Sequence, residues 1–254
     1  MDECTYTRRR PILLQEANSS PLLLVNQRTN KLIAVERTEL LPGGIVGEKL
    51  FDIRNLQYHV GAVEYHTQQL ALEYVNACAE AARASATIGS AIKDRVNLSS
   101  REECYFEFDA CVSAVRRIYD VLRFPLWKFF NSIPRDTPDA LAKVLKRADQ
   151  LSADLKTFVS SSWSILGERS RGYRDSIQHF FPIEFGLSTA ELRRLECGAW
   201  SARIRIPDNP EVTSRSKFTF LQGLDALDFC LECLYEILGL VRRVVDEICA
   251  PKQN

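Results

Sequence analysis

The sequence predicts a mainly α-helical protein, a bundle of four to five long helices with two small β excursions. Apolar residues recur at helical spacing through several long segments after about residue 56, and each segment keeps its stripe on one face. Proline, glycine and hydroxyl-bearing residues separate these segments at positions typical of helix starts and stops. A helical bundle is the natural way to bury so many one-sided stripes.

Composition limits the functional classes. At 254 residues, with 46% hydrophobic and 26% charged residues, the chain can bury a large core, which argues against global disorder. Lys plus Arg equals Asp plus Glu at 33 each, so affinity for a polyanion must come from a local basic patch. No segment approaches the ~20 apolar residues of a membrane span. The N-terminus lacks a basic region followed by an apolar core, so we expect a cytoplasmic protein without membrane contact.

The first 54 residues predict a separate element. Two apolar runs, 22–25 and 32–35, flank the polar stretch 26–31, which is typical of a β-hairpin. An isolated hairpin is marginally stable. We therefore expect residues 1–54 to form an N-terminal β-hairpin extension that packs on a helical domain of residues 55–254.

The helical domain begins with two long predicted helices. The first runs from about Leu56 to near Arg95 on a continuous apolar stripe. The second opens at the capping box Ser99–Glu102, and Pro125 should end or bend it because proline disfavours helix in the residue before it.

The second half predicts two further helices and a β insertion. Thr137-Pro138 should start a helix that continues through Trp163 and stops at Pro182, and the last helix spans Leu224 to Ile248. Between them, Ser188–Glu191 has the pattern of a capping box that opens a short helix. Residues 200–206 alternate apolar and polar side chains, which predicts a strand paired with 218–220, so we place a short β insertion at about 199–221.

The cysteines predict buried thiols. Six of the eight lie in segments read as amphipathic helix, where a free thiol acts as a small hydrophobe. Cys230 and Cys233 have CxxC spacing, but no second CxxC or nearby histidine completes a zinc site. No metal and no cofactor is therefore predicted.

Only three histidines are available for proton transfer near neutral pH. His59 and His66 lie seven residues apart without the interposed Glu of a zinc helix, so exposed or hydrogen-bonded imidazoles are expected there. His179 lies four residues after Asp175, and on a helix this carboxylate would orient the imidazole.

Together with Asp175 and His179, Arg174 predicts that this segment cleaves RNA. RNA carries its own nucleophile, the 2′-hydroxyl, so a proton-transfer group and a cation over the developing phosphorane charge can cleave it. His179 would move the proton, Asp175 would orient it, and Arg174 would stabilise the charge. On an ideal helix Arg174 lies about 140° from His179. The Arg174 side chain must therefore curl round towards His179, or the helix must be distorted, which Gly167 and Gly172 permit.

Further phosphate affinity is expected from Arg116, Arg117, Arg169 and Arg171.

The segment 174–179 resembles the signature of the HEPN superfamily of small helical bundles: Arg, a polar residue, a three-residue spacer and His on a late helix. The segment 107–116 is similar to the early family helix with its acidic start, and the resemblance covers about residues 56–182. It implies a metal-independent endoribonuclease, often in toxin–antitoxin or antiviral defence. It also implies a homodimer in which two motifs face one cleft, an antitoxin or other regulatory partner, and an accessory carboxylate from Glu107 or Asp109.

Two other interpretations stay open: a non-catalytic bundle that binds RNA or a partner, and a helical structural or regulatory protein. The dimer interface is expected near residues 170–182. The aromatic cluster that follows the motif, at 180, 181 and 185, fits either that interface or the core.

Overall fold

The computed structural model describes residues 48–88, 95–97, 102–132, 136–179 and 190–250. Within them, the mainly helical prediction is confirmed. The helices are α1 (Glu48–Ile88), α2 (Glu102–Phe129), α3 (Leu141–Arg147), α4 (Ala153–Ser162), α5 (Glu168–His179) and α6 (Ala226–Cys249). The strands are β1 (Arg95–Asn97), β2 (Ala190–Arg194) and β3 (Trp200–Ile204). A π-helical turn, Trp163–Gly167, joins α4 to α5, and a 3₁₀ turn spans Arg215–Lys217. The predicted N-terminal hairpin lies outside the described residues.

The core forms where the long helices meet. Helix α2 packs along α1, α6 packs against both, and α5 packs against α2. Apolar residues of all four contribute to one continuous cluster, whose largest fully buried side chains include Phe108, Tyr119 and Tyr173. The one-sided stripes of the sequence are therefore buried against one another, as a bundle requires.

The strands form one antiparallel sheet in the order β1-β2-β3, and β3 packs on α1. Val96, Leu192 and Ala202 occupy one register row across it. The strand expected at 200–206 is confirmed as Trp200–Ile204, but its partner is β2 and not residues 218–220. Thr219 instead exchanges hydrogen bonds with a loop, accepting from Asp208 N at 2.8 Å and donating to Asn209 Oδ1 at 2.8 Å.

The predicted short helix after the Ser188 capping box is wrong, because residues 190–194 are strand β2. Leu192 is buried in the core, and β2 pairs on both sides with β1 and β3. A capping pattern is a local preference of about 1 kcal/mol, which the burial and the two ladders of a central strand outweigh.

The helix expected to run unbroken from residue 138 to 182 is divided. Helix α3 ends at Arg147 and α4 starts at Ala153, where the hydroxyl of Ser152 accepts from Leu155 N at 3.2 Å. In the break, the Gln150 N–H donates to Phe130 O at 3.0 Å, which ties the connection to the end of α2. A long-range hydrogen bond therefore replaces the helical one.

The ends of the first two helices also differ from expectation. Helix α1 begins at Glu48, before the predicted start near Leu56, and residues 95–97 belong to β1. Helix α2 continues through Pro125 to Phe129, so of the expected end or bend, the end does not occur. An internal proline costs ~3 kcal/mol. The buried side chains of Pro125, Leu126 and Trp127 offset that cost through contacts that the sequence alone does not reveal.

Asp225 joins three elements at the start of α6. Its Oδ1 accepts from the N–H groups of Leu227 (3.0 Å) and Asp228 (3.2 Å), as an N-cap does. Its Oδ2 accepts from the Tyr74 hydroxyl of α1 at 3.1 Å and from Ile204 N of β3 at 3.0 Å. One buried carboxylate thus holds the helix start, the sheet and α1 together.

Replacing Asp225 with Ala should lower the free energy of unfolding by about 3–5 kcal/mol, because buried donors lose their acceptor. Tyr74→Phe removes one of those donors and should cost about 1 kcal/mol. Urea unfolding followed by circular dichroism measures both. Equal losses for the two variants would contradict the role given to the carboxylate.

Candidate functional site

The whole Arg174–His179 motif lies on α5, so the prediction that this segment is helical is confirmed. On a helix, His179 stands about 7.5 Å further along the axis than Arg174. The side chains of Gln178 and His179 lie outside what the structure describes. The expected contact between Asp175 and His179 therefore stays a prediction.

Tyr173, next to Arg174, anchors α5 in the core. Its fully buried ring meets Phe108 of α2 edge-on at 5.3 Å and Phe229 of α6 at 5.1 Å between centroids. Its hydroxyl donates to Pro207 O at 2.6 Å, and burial raises its pKa above the usual range. Phe108, Tyr173 and Phe229 form a cluster that we call the aromatic triad. It fixes which face of α5 turns inward.

Arg174 and Asp175 lie at the edge of that contact. Arg174 donates to Asp175 Oδ1 at 3.1 Å, and the two side chains keep 37% and 39% of their surface exposed. The charge of the same guanidinium acts on Asp109 of α2. Burial raises the pKa of its carboxyl, and the Ser113 hydroxyl and the Arg174 charge partly oppose this. Arg174 and Asp175 are thus paired on α5, and the Arg174 charge slightly lowers the pKa of Asp109 across the α2–α5 packing.

Glu107, the other accessory carboxylate, lies elsewhere. It is two residues before Asp109, which is about 200° round a helix, and its Oε2 pairs with His66 Nδ1 of α1 at 2.8 Å. The ring nitrogen donates, because a carboxylate only accepts. The residue pattern did not reveal this pair, since the register between α1 and α2 depends on tertiary packing. Of the two predicted carboxylates, Glu107 is thus paired with α1, and Asp109 is the one whose pKa the Arg174 charge lowers.

Arg116 follows Asp109 by seven residues and lies on the same flank of α2. Its guanidinium stands 4.9 Å from the centroid of the Trp163 ring and pairs with Asp120 at 2.8 Å. Trp163 opens the π-helical turn that leads into α5. Arg116 is thus about 10 Å further along the axis of α2 than Asp109, beside the turn that leads into α5.

The other predicted phosphate-binding arginines do not converge there. Arg117 is exposed, and its charge adds to burial in lowering the pKa of His59 of α1. Arg169 stands 4.9 Å from the centroid of the Phe229 ring. Arg171 is exposed on α5. The expected patch is thus distributed over several faces, with Arg116 the predicted member on the α2–α5 seam.

The π-helical turn depends on a glycine. A Cβ built on Gly167 would overlap the six-membered ring of Trp163, with Cδ2 at 2.9 Å. The same indole meets Tyr119 edge-on at 5.1 Å, and the Tyr119 hydroxyl lies 2.8 Å from Ser162 Oγ. The small residue therefore lets Trp163 lie flat along the turn under Arg116. Such π-helical turns occur frequently at functional sites.

Gly167→Ala should destabilise the protein by about 1–3 kcal/mol and shift tryptophan fluorescence, because Trp163 must move. Gly239→Ala in α6 is the matched control. No heavy atom lies within 4 Å of its added Cβ, and it should stabilise by about 0.5–1 kcal/mol. If both variants were stabilised, the close approach of Gly167 to Trp163 would be refuted.

Arg117→Ala should raise the pKa of His59, because a repulsive positive charge is removed, while burial keeps it below 6.5. Arg116→Ala should leave it unchanged, since that guanidinium lies against Trp163. Titration of the imidazole resonances by NMR measures both, and equal shifts would contradict the separation of the two arginines.

The prediction of buried thiols is confirmed for five cysteines in the described helices: Cys78, Cys104, Cys111, Cys230 and Cys233. Burial raises the pKa of Cys230 and Cys233 well above the ordinary value. Across the described ranges, no group of three or more His, Cys, Asp or Glu is placed to hold a metal ion. No helix in these same ranges has the length and apolarity to cross a membrane.

Comparison with known proteins gives no relative: no family model, no curated protein and no solved structure matches this chain.

Proposed function

We propose that this protein is a metal-independent endoribonuclease of the HEPN type, with Arg174, Asp175 and His179 of α5 as its catalytic residues. The observation that carries the proposal is the surface position of Arg174 and Asp175 beside a rigid anchor. Tyr173 is fully buried in the aromatic triad, while the side chains of the next two residues, Arg174 and Asp175, keep more than a third of their surface exposed. A catalytic group must be both accessible and held in place.

The proposed reaction needs one proton acceptor, one donor and one cation. The 2′-oxygen loses its proton and attacks the adjacent phosphorus, and the bond from phosphorus to the 5′-oxygen breaks. The leaving oxygen takes up a proton, which gives a 2′,3′-cyclic phosphate and a 5′-hydroxyl. His179 transfers protons and Arg174 stabilises the extra negative charge on the phosphorane. In a dimer with facing motifs, the two copies of His179 would divide the acid and base roles.

The α2–α5 seam supports an RNA substrate. Arg174 lies along it, and Arg116 lies beside the turn that leads into α5. Burial raises the pKa of Asp109, and the charge of Arg174 acts on the same carboxyl. A carboxyl group with a pKa perturbed by burial beside a cation is typical of functional sites. We assign Asp109 rather than Glu107 as the accessory carboxylate. A cytoplasmic role in toxin–antitoxin or antiviral defence belongs to the same proposal.

The second candidate is a bundle that binds RNA without cutting it. The ion pair of Arg174 with Asp175 at 3.1 Å counts against cleavage, because a guanidinium neutralised by a neighbouring carboxylate stabilises the phosphorane charge less. The ring contacts of Arg116 and Arg169 also hold cations in fixed positions suited to binding.

His179→Ala and Arg174→Ala should each lower the rate of RNA cleavage by about 100-fold or more, because each removes one part of the reaction. Cleavage should continue in EDTA and should leave 2′,3′-cyclic phosphate ends. His59→Ala is the matched control and should cut at the wild-type rate. Labelled single-stranded RNA, resolved on denaturing gels, provides the assay.

Cleavage abolished by EDTA, or retained in full by His179→Ala, would refute the proposed chemistry. Binding without cleavage by the wild-type protein would favour the second candidate, and Arg174→Ala should then weaken binding and flatten its salt dependence.

A further inference from the structure

Helix α5 is polar for an element that packs on a core. Of its twelve residues, Tyr173 and Ile177 are the large apolar ones, and Ile177 stays partly exposed. The side chains that α5 buries almost completely are Ser170, Tyr173 and Ser176. The neighbouring α4 has only ten residues, yet it fully buries two aliphatic side chains. Tyr173 therefore supplies most of the apolar burial that holds α5 on the bundle.

The two buried serines have unsatisfied hydroxyl groups. In the part of the chain that the structure describes, three buried side-chain polar atoms have no hydrogen-bond partner: Ser170 Oγ, Ser176 Oγ and Asp208 Oδ1. The Cys233 thiol lies beside Ser170, but a thiol is a weak hydrogen-bonding group. A buried polar atom without a partner loses the hydrogen bonds that water would give it, which destabilises the state that buries it. Both serines therefore oppose the packing of α5.

Asp208 places the third such atom in the loop that holds α5. It follows Pro207, whose carbonyl oxygen accepts the hydrogen bond of the Tyr173 hydroxyl at 2.6 Å. The other carboxylate oxygen of Asp208 accepts from Gln222 N at 3.1 Å, so its side chain is tied within the loop. Across the described ranges, each buried polar atom without a partner thus belongs to α5 or to the loop that contacts it.

The π-helical turn Trp163–Gly167 separates α5 from α4, which is held more firmly. At the end of α4, the buried hydroxyl of Ser162 lies 2.8 Å from the Tyr119 hydroxyl of α2, so this serine has a partner. After the turn, the Glu168 N–H donates to Trp163 O, five residues back. Helices bend sharply at such π-helical turns. The chain can therefore leave the bundle from this point onwards without disturbing α4.

From these contacts we infer that α5 is a conformational switch, which undocks from the bundle as a unit at a lower free-energy cost than unfolding of the bundle. The π-helical turn is its hinge and Tyr173 is its latch. In the undocked state both serine hydroxyls are solvated, and Tyr173 leaves Phe108 and Phe229. Local opening is expected where few apolar contacts hold an element. Undocking also moves Arg174 and Asp175 away from α2 and so controls the candidate site; this consequence, unlike the undocking itself, rests on the proposed function.

Native-state hydrogen exchange of the full chain, followed by mass spectrometry of its peptides, measures the opening of each helix. Amides of α5 should exchange about 10-fold or more faster than those of α2 and α6, and the boundary should fall at the π-helical turn. Ser176→Ala removes an unpartnered hydroxyl and should slow exchange in α5 by about 5- to 100-fold.

Ser162→Ala is the matched control. It also removes a buried serine hydroxyl, but one with a partner in Tyr119, so it should speed exchange in α4. Both substitutions raise helix propensity by the same amount, so the opposite signs isolate the effect of the hydrogen bond.

Tyr173→Phe tests the latch. It keeps the ring in the aromatic triad and removes the hydrogen bond to Pro207 O. Exchange in α5 should therefore become about 10-fold faster, while exchange in α6 stays unchanged.

Exchange in α5 as slow as in α2 and α6 would overturn the inference. A Ser176→Ala variant whose α5 exchanges no more slowly than that of the wild type would overturn it as well. Acceleration of all helices together by Tyr173→Phe would show that α5 opens only with the whole bundle, which contradicts a separate switch. None of these results depends on RNA cleavage, so the switch and the proposed function can fail separately.

Discussion

The aromatic triad is the contact on which the arrangement of the candidate site depends. The triad joins three helices: Phe108 lies on α2, Tyr173 on α5 and Phe229 on α6. The centroid of the Tyr173 ring lies 5.3 Å from that of Phe108 and 5.1 Å from that of Phe229. Aromatic pairs in this geometry contribute about 0.5–1.5 kcal/mol beyond the burial of their surface. Because Tyr173 points into the core, its neighbours Arg174 and Asp175 must emerge at the α2–α5 seam. Packing in the core therefore decides which charged groups reach solvent.

Charge at the seam is arranged around that anchor. The Arg174 guanidinium pairs with Asp175 and also acts on Asp109, whose carboxyl is partly buried. Arg116 lies further along the same flank of α2, held over Trp163 by the turn that Gly167 permits. A net charge of zero for the whole chain is compatible with such a seam, since a few ordered cations suffice to bind a phosphate backbone locally.

Periodic apolar stripes predicted the long helices, because helical spacing over many residues has few alternative explanations. They also predicted α5 as the carrier of the motif. The errors arose where a tertiary contact outweighed a local signal. The capping pattern Ser188–Glu191 predicted a helix, but strand pairing of β2 outweighs it. Burial of Pro125 and its neighbours lets α2 continue through the proline. The hydrogen bond from Gln150 N to Phe130 O helps divide the helix that was predicted from residue 138 onwards. The separation of Glu107 from Asp109 follows from the register of α1 against α2, which no single segment encodes.

The coupling between Phe108 and Tyr173 tests most directly whether the triad holds α5 in place. A double-mutant cycle with Phe108→Leu and Tyr173→Leu, measured by urea unfolding, isolates the interaction of the two rings from their separate burial. The structure predicts a coupling free energy of about 0.5–1.5 kcal/mol. Losses that add to within about 0.3 kcal/mol would show that the rings act independently. Tyr173 would then not anchor α5 through the aromatic triad, and the position of Arg174 would have another cause.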